Sequence, residues 1–333
     1  MSQPFYDLCV STTLLEPQTQ RERVSQAIKL GWDAVALVHQ AAAKLTEQDR
    51  CAIRPVELAA LLAAAKGVRE ALAAAEARAG PRHGDPYTMR QLTRINIPVD
   101  DPAAAQAACS SATARGYDLV AVQPGNERLF QMACSTLECD LVSLDLCRRL
   151  PYRFKPAVVK AALARGLHFE ICLAPALRDA ASRRQLFANA LALARETRGR
   201  GLVLSSGARS YMELRGPLDV INVATLLGLT PQQAAAAVTS APAAVVARAV
   251  ARRAYRGTLM LRVRSPEEAA AHAAEEATVR EKAQQQQQKQ HQQQGGAGSA
   301  EAMDVDAGAA AQAAAGAVAA KKSFAQLAGQ PQR

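Results

Sequence analysis

Short, nearly continuous apolar runs alternate along this chain with longer stretches in which apolar residues recur every three or four positions. The short runs are Tyr6–Val10, Ala34–His39, Arg94–Val99, Leu119–Val122, Leu141–Leu146, His168–Leu173 and Leu202–Ser205. Runs of this length and continuity predict parallel strands covered on both faces. Between them, the longer period predicts helices over Thr19–Leu30, Pro55–Ala79, Pro102–Arg115, Asn126–Leu137, Pro156–Arg165, Leu177–Arg198 and Pro217–Leu227. A further helix opens at Thr230 and Pro231 and is broken and restarted at Pro242. Several end on a glycine (Gly31, Gly80, Gly116, Gly166, Gly228), the residue that most easily adopts the left-handed conformation closing a helix. Asp101 and Pro102 form an N-cap and first-turn pair.

This strand–helix alternation predicts an α/β fold with a parallel sheet. The unit GWDAVALV returns as GYDLVAV, with a glycine, an aromatic residue, an aspartate and then a strand. Seven strands stand out and an eighth does not. Gly257–Val263 could supply it or pack at one end. A TIM-barrel-like (β/α) barrel with an irregular or missing strand fits best, and an open doubly wound sheet is the alternative. His83–Thr93 is expected to be a flexible connection before the third strand.

Composition sets the domain limits. From about Ser265 the chain collapses to Ala, Gln, Glu and Gly, including QQQQQKQHQQQGGAGS. Such a segment cannot bury a core and is expected to be mostly disordered. The division is therefore a barrel domain over 1–263 and a low-complexity tail over 264–333. About 260 residues is the usual size of a (β/α)8 barrel. No apolar run reaches the roughly 18–20 residues of a membrane helix, and the polar start, MSQPFYDL, lacks a signal-peptide apolar segment. No membrane association is expected. The seven cysteines contain no CxxC pair and sit mostly in apolar runs, which predicts buried thiols.

Charge changes the picture. Residues 1–147 carry 14 Lys+Arg against 17 Asp+Glu, whereas residues 148–262 carry 19 against 5. The excess is almost all arginine, whose planar fork suits phosphate. A one-sided excess of this size points to a polyanionic partner.

In a (β/α) barrel, chemistry sits at the C-terminal ends of the strands. Those ends resemble the PHP family of metal-dependent phosphoesterases, whose first strand reads Asp-Leu-His-x-His-Ser/Thr and whose second ends in Asp-His. Here Cys9 and Ser11 stand at the two histidine places, Val38 replaces the aspartate before His39, and Ser206–Ala208 occupy the later Asp-x-His place. A polynuclear metal site needs several imidazoles and carboxylates at one mouth. Of five histidines, only His39 and His168 lie in predicted strands, and His168 is at the wrong end of its own. His39 is expected to be a hydrogen-bonded structural residue. No GxGxxG, Walker loop or G-x-S-x-G elbow is present. Asp7, Glu170 and Asp219 could form a carboxylate group only if the fold brings them together.

The segments YDLVAVQPGNERLFQMAC, LPYRFKPAVVKAALARGLHFEICLAPALRDAASRR and LSSGARSYMELRGPLDVINVATLLGLTPQQAAAAV follow in order. They resemble the 30 kDa protein subunit family of ribonucleases P and MRP, over about residues 4–262 and most closely over 116–247. The resemblance implies a PHP-like barrel with lost metal ligands and no intrinsic catalysis. The subunit would bind and stabilise the catalytic RNA for removal of the tRNA 5′ leader. It implies no cofactor in the protein itself, with Mg2+ acting alongside the RNA. Implied partners are ribonuclease P RNA and MRP RNA, other protein subunits including a small partner subunit, and precursor tRNA indirectly. The implied location is nucleus and nucleolus. The candidate RNA contacts are Arg148, Arg149, Arg153 and Lys155 after strand five, Arg178, Arg183 and Arg184 around the sixth helix, and Arg209 and Arg215 after strand seven. The competing readings are a PHP-type phosphoesterase and a protein-interaction barrel without RNA contact.

Overall fold

The computed structural model describes residues 3–12, 17–42, 44–64, 67–79 and 89–254. Gly257–Val263, proposed above as an eighth strand, and the low-complexity tail lie outside them.

Seven parallel strands form one sheet in sequential order: β1 (Tyr6–Ser11), β2 (Ala34–Gln40), β3 (Arg90–Val99), β4 (Leu119–Pro124), β5 (Leu141–Ser143), β6 (His168–Cys172) and β7 (Leu202–Ser205). Around them run α1 (Pro17–Leu30), α2 (Leu58–Ala64), α3 (Val68–Ala79), α4 (Pro102–Ser110), α5 (Ala112–Arg115), α6 (Glu127–Ser135), α7 (Pro156–Ala164), α8 (Ala174–Arg178), α9 (Ala180–Thr197), α10 (Pro217–Leu226), α11 (Pro231–Ala236) and α12 (Ser240–Ala254). The sheet curls into a nearly closed barrel, not an open doubly wound sheet. Parallel hydrogen bonds join the C-terminal ends of the first and last strands: Val10 bridges Ala208, the Ser11 N–H donates to Ala208 O at 3.0 Å, and the Gly207 N–H donates to Cys9 O at 2.8 Å.

Lower down, a turn occupies the gap between β1 and β7. The Tyr6 N–H donates to Val238 O at 2.9 Å and the Leu204 N–H to Ala237 O at 3.0 Å. The turn between α11 and α12 thus satisfies backbone groups that an eighth strand would otherwise pair.

The repeated aspartates explain themselves in this frame. Asp33 precedes β2 and accepts from the Phe5 N–H at 2.8 Å, beside β1. Asp118 precedes β4 and accepts from the Thr93 N–H at 2.8 Å, in β3. Asp140 precedes β5 and accepts from the Val120 N–H at 2.8 Å, in β4. Each carboxylate ties the start of its own strand to its predecessor.

Three helices are shorter than their periodicity predicts, and each break has a local cause. The Pro55–Ala79 run divides into α2 and α3 near Gly67, which takes φ +86°. The Pro102–Arg115 run divides at Ser111, whose side chain caps α5 through the Ala114 N–H. Asp179 interrupts Leu177–Arg198 by accepting from the Ser182 N–H, so α9 starts afresh at Ala180. The expected loop over His83–Thr93 ends early, because β3 begins at Arg90 and pairs along the whole of β2. β5 ends at Ser143, short of the predicted Leu146.

The core has two parts. One lies between the sheet and the surrounding helices. The other fills the lower barrel, where Leu8, Ala34, Ala36, Leu92, Leu119, Leu141 and Val203 meet Val245, Val246 and Ala249 of α12. That helix crosses the N-terminal mouth as a plug. Arg252 grips Asp140, with Nη2–Oδ2 at 2.9 Å, and Arg253 reaches Asp118 at 2.6 Å. Asp140 is fully buried and Arg252 is its ion-pair partner. Arg252→Ala is expected to cost about 3 kcal/mol by leaving that carboxylate unpaired, a fall in Tm of roughly 6–12 °C. Thermal unfolding of the full chain checks this.

Candidate functional site

The upper half of the barrel interior is polar. β3 sends in Arg94 and Asn96, β6 Glu170 and Cys172, β5 Ser143, β7 Ser205 and β1 Cys9. Arg94 and Glu170 both have no exposed surface. They form a two-pronged ion pair, Nη1–Oε1 and Nη2–Oε2 both 2.5 Å. The guanidinium also donates to Leu8 O at 2.6 Å and to Asn96 Oδ1 at 2.8 Å, so four of its five N–H groups are used. Ser205 Oγ donates to Glu170 Oε1 at 2.7 Å, and Ser143 bonds the same carboxylate. Burial alone would push the Glu170 carboxyl up. The Arg94 charge and these hydrogen bonds outweigh it and hold the group below the usual glutamate range. Burial likewise works against the Arg94 charge and is overridden by Glu170, which raises the guanidinium pKa. From Asn96 the polar chain climbs toward the mouth, donating to Gln40 Oε1 at 3.2 Å, and Gln40 donates to Gln123 Oε1 at 2.8 Å.

The positions compared above with phosphoesterase ligands have other duties. Asp7 Oδ1 accepts from the Cys9 N–H at 3.1 Å and the Ser206 N–H at 3.0 Å, while Ser206 Oγ donates to Cys9 O at 3.1 Å. Together they stitch the barrel seam. The segment Ser206–Ala208 therefore closes the sheet. Gly207 at φ +62° belongs to that seam, and a Cβ there would sit 2.8 Å from Cys172 Cβ. His39 bonds Asp49 at 3.0 Å and stacks on Tyr117 with ring centres 6.1 Å apart. It is the hydrogen-bonded structural residue expected. His168, at the start of β6, meets Gly166 O through Nδ1 at 3.2 Å. Asp7 feels the charge of Glu170, but Asp219 sits in the first turn of α10, beside a separate groove.

Ligand atoms of Cys9, Glu170 and Cys172 lie within 4.8 Å of one another, a group close enough among the described residues to be tested as a metal site. This set does not fit a phosphoesterase metal centre. Arg94 already engages both Glu170 oxygens, and its fixed charge occupies the place beside the thiols that a metal cation would need. Contact with Cys9, followed by burial, pushes the Cys172 thiol well up, away from the thiolate a metal requires.

The candidate arginines line the C-terminal side. In the segment after β5, Tyr152 and Phe154 are buried while Arg153 and Lys155 alternate outward. Tyr152 stacks on Phe130 at 5.2 Å and Phe154 packs tilted against it at 5.7 Å between centres, and so they fix that alternation. Asn189 of α9 donates to Leu146 O and Arg148 O, both at 2.8 Å, joining this segment to the helix that carries Arg183 and Arg184. Arg149, Arg153, Arg183, Arg184 and Arg209 are exposed. The other four are engaged. Arg148 pairs with Asp145 at 3.2 Å, Lys155 with Glu127 at 2.7 Å and Arg178 with Glu213 at 2.5 Å, while Arg215 donates to Met212 O and Leu214 O.

Comparison with known proteins follows the same line. The profile described as RNase P subunit p30 matches residues 4–254. The chain belongs to the RNase P subunit p30 family. The p30 barrel is 36% identical over 221 residues to the ribonuclease P protein subunit p30 of Mus musculus, covering 66% of this chain and 76% of that one. It is 37% identical over 216 residues to protein GAMETOPHYTE DEFECTIVE 1 of Arabidopsis thaliana, covering 65% of this chain but only 37% of that relative. A chain of an archaeal ribonuclease P solved with mature tRNA shares the fold, with a TM-score of 0.54 over 78% of this chain and 99% of its own, at 12% identity.

Sequence reading passed over Arg94. The signal was the alternation R-I-N-I inside an apolar strand, which puts Arg94 and Asn96 on one face. Without knowledge of Glu170 across the barrel, that pattern has no partner.

Asp7 gives a test. It is fully buried and its Oδ2 has no hydrogen-bond partner. Burial raises its pKa above the ordinary 3.8, against the Ser206 and Cys9 hydrogen bonds. A raised acid favours folding while protonated and costs stability as pH climbs from its unfolded value through its folded one. Asp7→Asn keeps the acceptor oxygen and removes the charge. Its stability should match wild type near pH 3.5 and exceed it at pH 7, by about 1.4 kcal/mol for each unit by which burial raises the carboxyl, with a correspondingly higher Tm at pH 7. A pH series of thermal unfolding measures the crossover.

Proposed function

We propose that this chain is a noncatalytic protein subunit of ribonuclease P, and of ribonuclease MRP, which helps hold the RNA that removes the 5′ leader of precursor tRNA. The observation that carries the reading is the Arg94–Glu170 pair in a barrel of the p30 family. The centre that would house a phosphoesterase's metals is filled by the protein's own charges. What the surface offers instead is arginine. Arg149, Arg153, Arg183, Arg184 and Arg209 are exposed on the C-terminal side, where they would meet phosphates. Arg148, Lys155, Arg178 and Arg215 would support them or exchange their present partners for RNA. Contacts of this kind go mainly to the backbone and fix position more than sequence.

In this reading Mg2+ serves the RNA and the protein carries no cofactor. Its partners are the ribonuclease P and MRP RNAs and further protein subunits, a small one among them, with precursor tRNA reached through the RNA. The site of action is the nucleus, including the nucleolus.

Affinity capture of the tagged full chain from nuclear extract, with sequencing of the co-purified RNA, tests the proposal. Recovery of ribonuclease P or MRP RNA together with precursor-tRNA cleavage is expected. The variant Arg183→Glu/Arg184→Glu should lose RNA and lower the salt slope of binding by about one per arginine. Absence of such RNA, with stoichiometric metal and phosphoester hydrolysis by the pure chain, would overturn it.

A further inference from the structure

The barrel's opposite end carries basic residues that the reading above leaves idle. α9 runs from the C-terminal mouth, where Arg183 and Arg184 lie in its first turns, to the N-terminal mouth. There it ends in the sequence Arg195-Glu-Thr-Arg198-Gly-Arg200-Gly, just before β7. Arg195, Arg198 and Arg200 are all exposed. Among the described residues none of the three is in an ion pair, whereas Arg252 and Arg253 on the same face are spent on Asp140 and Asp118.

The turn is built with care and at some strain. Arg198 has φ +53°, the only non-glycine residue with positive φ among those described. Glycine or asparagine would sit there more easily. Gly199 and Gly201 flank Arg200 at φ +68° and +63°. Neither tolerates a side chain: a Cβ at Gly199 would lie 2.4 Å from the Gln233 amide, and one at Gly201 2.3 Å from Leu163 Cδ2. Gln233, held in the capping box of α11, donates to Arg198 O at 3.0 Å and locks the turn. A cation at a helix C-terminus is favoured by the helix dipole, and Arg195 already meets that demand within the last turn. Arginine at a left-handed position is a local cost without a structural return, the kind of strain that collects at binding sites.

Beside the turn lies an open cleft of about 420 Å³, lined by Arg200, His168, Gln232 and Ser240 together with small residues of α11 and α12. Arg200 alone of the three arginines stands at its edge, and His168, Gln232 and Ser240 supply hydrogen-bonding groups in a mostly apolar wall, against which a ribose can pack while its 2′-hydroxyl donates and accepts.

We propose that the Arg195–Gly201 turn is a second RNA-backbone contact, on the N-terminal face of the barrel. It rests on the ribonuclease P reading and extends it. Arg183 and Arg198 are fifteen residues apart along α9 and its cap, roughly 20 Å at 1.5 Å per residue. The two patches face opposite ends of the barrel and engage separate stretches of RNA, so the subunit acts as a brace between them.

The test is the salt dependence of binding between the full chain and in vitro transcribed ribonuclease P RNA. Four proteins are compared: wild type, Arg195→Ala/Arg198→Gly/Arg200→Ala, Arg183→Ala/Arg184→Ala, and the two sets combined. Each phosphate contact adds roughly 0.7–0.9 to the slope of log K against log salt. The N-terminal-face variant should lose about 2 from that slope whether or not the other patch is intact, with Tm close to wild type because Arg198→Gly offsets the loss of Arg195 at the helix end. Arg198→Gly alone relieves the backbone strain and should lose about 1, which separates charge from folding. An unchanged slope in well-folded variants overturns the proposal and leaves the ribonuclease P reading standing. Salt-insensitive or absent binding by wild type overturns both. Loss of an acidic protein subunit from captured complexes with the RNA slope intact overturns it in favour of a protein contact.

Discussion

The structure turns on one buried ion pair. Arg94 comes from the third strand and Glu170 from the sixth, and they meet across the barrel without contact with water. Two charges in such a place are tolerated only when each is matched and the remaining hydrogen-bonding capacity is used. Leu8 O, Asn96, Ser205 and Ser143 provide that matching. The consequence reaches every strand that contributes, because the groups must arrive at fixed heights on an inward face. A one-residue slip in β3 would turn Arg94 outward and leave Glu170 as an unpaired buried charge. Apolar packing below, against α12, sets the barrel's size, and the ion pair above sets its register.

Function follows from the same choice. A guanidinium at the barrel centre does electrostatically what a metal cation would, balancing carboxylate charge, but it has no open coordination position and cannot activate water. The barrel centre is occupied by the protein's own charges. Exposed arginines lie outside it on stiff local structures: the Tyr152–Phe154 aromatic anchor on one face and the Gln233-locked turn on the other. The large basic excess of the second half overstates what is available. Arg165 caps the carbonyls at the end of α6, Arg248 bonds Arg165 O, Arg252 and Arg253 fasten the plug helix, and Arg178 holds Glu213. The remaining exposed arginines lie at both ends of the barrel.

Much of the architecture was legible in the sequence because parallel strands covered on both faces leave continuous apolar runs. Each of the seven strands overlaps its predicted run, although β3 starts four residues early and β5 ends three residues short. Breaks in helices were harder to see. Asp179 sits in a stretch that reads as one helix, and only its capping bond to the Ser182 N–H shows that a new one starts. The closing of the barrel was not legible, since the turn at Ala237–Val238 does a strand's work with two carbonyls and has no strand pattern. That phosphoesterase ligand types do not stand at the compared positions could be read position by position from Cys9, Ser11 and Ser206. What replaced them could not, because Arg94 and Glu170 are separated by 75 intervening residues and only the curl of the sheet joins them.

The most direct measurement is a double-mutant cycle on this pair, by denaturant unfolding of the full chain. Arg94→Met and Glu170→Leu should each cost about 3–5 kcal/mol, because each leaves one buried charge without its partner. Arg94→Met/Glu170→Leu should recover most of that loss, giving a coupling energy of several kcal/mol. Additive losses, or single variants within about 1 kcal/mol of wild type, would mean that the pair does not organise the barrel and that its centre is free for another occupant.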